Sequence, residues 1–207
     1  MASQYLHQPP VVIRSKMSYV YLAIAIFGAL SILAAWTMTG RTDLLVRSIL
    51  PLFFAVYATW YVMYYPKVVI DVEDVVVVNP FVTHRVNYSC LIDVSTRYAL
   101  TLVTAEKSYS SFAVSGSGMA HSFKAHRSES QGLPAITPQQ DGAIRPSDLP
   151  STLSGATARM IRGYWQELVE DGALEQVEPV ASSVRDTRGI IIICILGGLT
   201  LIQLFTL

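Results

Sequence analysis

Three stretches without a charged side chain constrain this chain more than any motif does. No Lys, Arg, Asp or Glu falls between Lys16 and Arg41, between Arg47 and Lys67, or between Arg188 and Leu207. A bilayer core needs about 20 apolar residues in a helix, and each stretch meets that length. Tyr19, Tyr21 and Trp36 flank the first run; Trp60, Tyr61, Tyr64 and Tyr65 crowd the far end of the second. Amphipathic rings at both ends are the expected interfacial belt. Pro51 is read into the first turn of the second helix, where its missing N–H costs little. A cleaved leader is the rival reading of the first run. Its apolar stretch exceeds the roughly 7–15 residues of a signal core, and a second span follows closely.

Composition agrees. The 207 residues are 52% hydrophobic and 14% charged, against about 25% charged in average soluble chains. Fifteen basic and fifteen acidic residues balance, so nothing favours nucleic acid, which demands a basic surplus. Cys90 and Cys194 have no metal spacing and read as small buried hydrophobes. Orientation follows Lys and Arg. Arg14 and Lys16 precede the first span, Lys67 follows the second, and Arg185 and Arg188 precede the third; Arg41 and Arg47 lie between spans. The expectation is a multi-pass protein of the cytoplasmic (plasma) membrane. Its N-terminus and middle segment lie inside and its C-terminus outside.

The middle segment changes period. Residues 67–78 carry two β-branched runs around a turn at Glu73-Asp74, and Asn79-Pro80 marks the next turn. Residues 82–88 alternate, with Val82, His84, Val86 and Tyr88 on one face. Residues 91–94, 98–104 and 109–114 supply further strands, the last two joined by a turn at 105–108. Five or six short strands predict an antiparallel meander, sandwich or open barrel. Residues 116–154, rich in Ser, Gly, Pro and Gln, read as a flexible linker. Ile161, Tyr164, Trp165, Leu168 and Val169 recur at helical spacing. They predict an amphipathic helix over 155–172, capped by Ser154 and ended by Gly172. That helix either closes the β domain or lies on the membrane; Glu167, Glu170 and Asp171 disfavour docking on anionic lipid. The fold class is therefore an α+β membrane protein. Its divisions are an N-terminus (1–16), a helical hairpin (17–66), a β domain (67–115), the linker, the amphipathic helix, a juxtamembrane stretch (173–188) and a third span (189–207).

One further signal is a likeness. The order of residues 75–78, Asn79-Pro80-Phe81, Thr83-His84-Arg85-Val86, Tyr88, 92–94, 100–102, Glu106 and Phe112-Ala113 resembles a bacterial pleckstrin-homology-like family. This is the domain of actinobacterial membrane proteins in the group named after a low-molecular-weight mycobacterial antigen. The likeness covers about 40 residues plus the preceding two-helix hairpin. Tyr88 stands where that family usually has Trp, and the linker has no counterpart. The resemblance implies a split barrel or sandwich with a closing helix, for which the Trp165 helix is the candidate. It implies binding or assembly at a membrane and no catalytic activity.

The remaining chemistry is sparse. Residues 67–115 hold four basic and five acidic residues, with Asp71, Glu73 and Asp74 in the first hairpin. An anionic phosphoinositide headgroup is not expected there. His84, His121 and His126 lack a metal-ligand spacing; Ser115-Gly116-Ser117-Gly118 lacks both the Lys of a phosphate loop and a nucleophile elbow. No cofactor, metal or catalytic set is expected. Phe81, His84, Arg85 and Arg97 form the candidate interaction surface. Phe81 is an anchor, and the arginines are able to hold a carboxylate or phosphate. The expected role is a membrane-anchored, non-enzymatic scaffold that binds the bilayer and a protein partner. The alternative is a structural subunit of a transport or secretion complex, recognised through its spans. An enzyme acting on envelope precursors lacks supporting residues.

Overall fold

The computed structural model describes residues 4–6, 8–115, 149–175 and 177–206. The linker stretch 116–148, with His121, His126 and the Ser-Gly run beyond Ser115, lies outside the described residues. Among those described, the fold is α+β, with four helices and two antiparallel sheets. It divides into two compact units. One comprises residues 1–14, 67–79 and 83–184; the other comprises residues 15–66, 80–82 and 185–207.

The first unit is built on β-branched residues. Strands β1 (Val11–Ile13), β2 (Lys67–Ile70), β3 (Asp74–Asn79), β4 (Val82–Asn87) and β8 (Ala181–Arg185) make one sheet in the order β1-β2-β3-β4-β8. Strands β5 (Leu91–Ser95), β6 (Ala99–Thr104) and β7 (Ser108–Ser115) make the other. Alternation decides which side chains face inward: Val68, Ile70, Val75, Val77, Leu100 and Leu102 are each at most 1% exposed. Helix α3 (Leu153–Glu170) packs on β5, β6 and β7. Ala158, Ile161 and Tyr164 enter the core shared by both sheets. Asn79 links the sheets, because its side chain donates to Ser110 O (2.7 Å) and accepts from Phe112 N (2.7 Å). The side chain thus imitates a strand partner for β7.

Several expectations are corrected here. Residues 67–115 hold six strands, β2–β7, within the expected five or six, and the described residues add two more outside that segment. The stretch read as a plain N-terminus contains β1, and Leu6, 5% exposed, lies in the core. The stretch read as juxtamembrane contains β8. Strands of three and five residues are too short for periodicity to register; pairing with an existing sheet creates them. The first turn precedes Asp74, which already belongs to β3. Tyr88 opens a 3-10 turn (Tyr88–Cys90) rather than continuing β4. Helix α3 begins at Leu153, and Thr152 caps it by accepting from Gly155 N at 3.0 Å. Ser154 is instead buried inside the first turn. Gly172, at φ +65°, ends the helix in the left-handed conformation.

The second unit holds α1 (Lys16–Met38), α2 (Thr42–Thr59, continued by a π-helical turn over Trp60–Tyr64) and α4 (Thr187–Thr206). All three are long and apolar enough to cross a membrane. Helix α2 starts earlier than the uncharged run, so Pro51 lies well inside it rather than in its first turn. A helical proline removes the donor to the carbonyl four residues back, which here is that of Arg47. Gln203 of α4 supplies the missing donor, with Nε2 2.9 Å from Arg47 O.

Candidate functional site

The four residues singled out by sequence occupy different settings. Phe81 follows Pro80 in the β3–β4 turn and has φ +70°, a conformation that costs an L-residue with a Cβ about 1–2 kcal/mol. Its surroundings hold it there. The ring meets Tyr61 edge-on at 5.4 Å, and its carbonyl accepts from Asp186 N at 2.9 Å. His84 contacts Ser183 Oγ at 2.7 Å through Nδ1 and faces the Tyr109 ring at 5.1 Å. Burial lowers the imidazole pKa, and the nearby Lys107 charge lowers it further. Arg85 pairs with Asp74 Oδ2 at 3.0 Å, so its charge is engaged within the chain. Burial raises the Asp74 carboxyl pKa, Arg85 opposes that shift, and Asp71 and Glu73 reinforce it. Arg97 lies apart, in the β5–β6 turn, exposed and stacked on Tyr98 at 5.3 Å. Tyr98 itself is 80% exposed. Phe81, His84 and Arg85 thus share one hairpin, and Arg97 belongs to the other sheet.

Two features escaped sequence reading. The first is an aromatic–carboxylate cluster in the helical unit. Tyr61, 2% exposed, donates from its hydroxyl to Asp186 Oδ2 at 2.9 Å; Asp186 Oδ1 caps α4 by accepting from Gly189 N at 3.0 Å. Tyr61 stacks on Tyr65 at 5.5 Å, and a Cβ at position 189 would overlap its ring. Tyr61 lies in the π-helical turn. A π-turn, a left-handed Phe81 and a glycine that admits a ring converge on one tyrosine. Such departures from regular backbone cluster where a geometry is being enforced. Here it fixes the start of α4.

The second feature is a cleft of about 450 Å³ in the β unit, with Leu168, Leu174, Val177 and Val180 on its walls and Glu73, Asp74 and Arg85 among its polar lining residues. Tyr88 and Tyr164 meet edge-on beside it at 5.2 Å, and their hydroxyls donate to Asp71 O (3.0 Å) and Val72 O (3.3 Å). Burial raises the pKa of both phenols, keeping them neutral donors. Asn87 holds the far wall, accepting from Val180 N (3.1 Å) and donating to Glu178 O (2.7 Å). No group of three His, Cys, Asp or Glu able to hold a metal occurs among the described residues. No family model, curated protein or solved structure matches the chain.

Proposed function

We propose that this protein is a membrane-anchored interaction module, with a pleckstrin-homology-like globule held at the cytoplasmic face by three transmembrane helices. The observation that carries this reading is the way one sheet brackets the apolar helices. Strand β1 precedes the α1–α2 hairpin and β2 follows it. Yet the two pair antiparallel, Val11 with Ile70 and Ile13 with Val68. Arg14 and Ser15 alone separate β1 from α1, and Asp186 alone separates β8 from α4. If both hairpin helices span the bilayer, the strand pairing requires their outer ends to share one side. Arg14, Lys16, Lys67, Arg185 and Arg188 then lie on that side, against Arg41 and Arg47 on the other. This bias supports a cytoplasmic globule.

Support for the pleckstrin-homology-like reading comes from element order. After the helical hairpin, strands β2–β4, a three-stranded sheet β5–β7 and a closing helix α3 follow one another along the chain, and β1 joins the first sheet from before the hairpin. Such a globule recognises by surface rather than by chemistry. Three of the four sequence-selected residues are engaged internally, which leaves the Arg97–Tyr98 turn as the open candidate for a protein partner. A photo-reactive amino acid at position 98 should cross-link a partner in native membranes. The same group at Leu201, exposed on α4 beyond the open face of Gly198, should not. Cross-linking only from position 201 would favour the alternative of a complex subunit recognised through its spans.

A further inference from the structure

The N-terminal arm is seated on the β unit in the manner of a bound peptide. Gln4 N donates to Glu167 Oε1 on α3 at 3.0 Å. The Tyr5 ring lies so close over Gly163 that a Cβ there would overlap it. Leu6 is 5% exposed and packs in the core cluster. Gln8, Pro9 and Pro10 are exposed, and Val11–Ile13 then adds a short strand to the edge of β2. The arm therefore grips at two places with an exposed bridge between them. One grip is an aromatic–leucine anchor beside a helix; the other is strand addition, a recognised mode of peptide capture. Three paired residues, the middle one 55% exposed at Val12, make a weak strand alone. Attachment to the same chain holds the arm in place through high effective concentration.

We propose that this groove, along Gly163 and Glu167 of α3 and the open edge of β2, is the module's partner site, closed in the resting protein by its own N-terminal arm. The proposal rests on the interaction-module reading and names its partner: an extended, uncharged protein segment. That segment carries an aromatic–leucine pair followed by β-branched residues. The chemistry is read from the occupant, since residues 4–13 contain no Lys, Arg, Asp or Glu. Glu167 selects a backbone N–H, Gly163 admits a ring, and β2 accepts any backbone of strand form. A partner segment gains the site by displacing the arm, so the arm sets the threshold for binding.

The test uses the full chain in detergent micelles, with a protease site replacing residues 8–10, and a labelled synthetic peptide of residues 4–13 as the probe. Cutting unties only the Tyr5–Leu6 anchor, since Val11–Ile13 stays joined to α1 through Arg14 and Ser15. Peptide affinity at the α3 end of the groove should rise at least about tenfold over uncut protein, because the open fraction there increases. Leu6→Ser in the uncut chain should also raise peptide binding. Gly163→Val in the cut chain should abolish it by filling the place of the Tyr5 ring. Cut protein that keeps its thermal transition but takes up no peptide overturns the proposal. Loss of that transition on cutting overturns it as well, since the arm would then be an integral part of the fold. Peptide exchange is read without any partner, so its outcome is separate from whether position 98 cross-links one.

Discussion

In the β unit most of the apolar side chains of the strands turn inward, whereas in the helical unit most turn outward. Leu100 and Leu102 have no exposed surface, while Phe27 is 74% and Phe205 88% exposed. Residues of similar hydrophobicity thus have opposite fates. In the β unit, alternation leaves a second, polar face for water, and apolar burial drives the packing. The three helices of the other unit are long and apolar enough to cross a membrane, and much of their apolar surface faces outward. Polar atoms follow the same division. In the β unit, Asn79 and Asn87 tie strands and loops together. In the helical unit, Gln203 answers the carbonyl freed by Pro51 and Asp186 answers Tyr61. Where water is excluded, each loose backbone group must find an internal partner.

Substitutions that treat the two units alike should expose this contrast. The largest effect is expected from truncating a buried leucine: Leu102→Ala should cost about 3 kcal/mol in denaturant or thermal melts. Leu201→Ala, on an outward helix face, should cost well under about 0.5 kcal/mol. Equal losses would break the comparison. A charge on an outward face should reverse the ranking. Ile32→Arg should weaken membrane insertion by about 3 kcal/mol, read with an insertion reporter, and an arginine tolerated there would remove the membrane reading.

Smaller effects sharpen the polar half of the contrast. Arg162 of α3, 1% exposed, donates through its guanidinium to Val94 O. Arg162→Met keeps most of the volume and strands that carbonyl, so a loss of about 2 kcal/mol is expected in melts. Gln203→Leu should loosen the α2–α4 contact by about 1 kcal/mol, measured as lower resistance to denaturing detergent. His84 gives the mildest test. Its folded-state pKa is lowered, so the unfolded chain takes up the proton first. Stability should fall as pH drops below about 6.5 and level off below the folded value. His84→Gln should flatten that part of the pH profile, measured by melts between pH 5 and 7.5.

How far residues reveal their structure depended on the range of the pattern they belong to. Runs of uncharged residues and the strand patterns of 67–114 are local, so the helices and β2 to β7 are visible along the chain. Arg162 sits within an otherwise amphipathic stretch and gives no sign of being buried; partners from distant segments, the β5 carbonyl of Val94 among them, make that place acceptable. Arg85 looked available to a partner until β3 brought Asp74 beside it. Tyr61 looked like one of several interfacial rings. Its distinction lies in Asp186, which is 125 residues further along the sequence. Phe81 gave a partial clue, because Pro followed by a turn residue often sets the next φ positive, but the ring contact that holds it is long-range.

The sequence by itself determined which segments are apolar throughout and which alternate, because side-chain transfer energies act residue by residue. Tertiary structure alone decided that residues before the first helix and before the last become strands of one sheet. It also decided which polar groups find partners. Strand pairing and the satisfaction of buried donors and acceptors are properties of two distant segments together, and neither segment carries them alone.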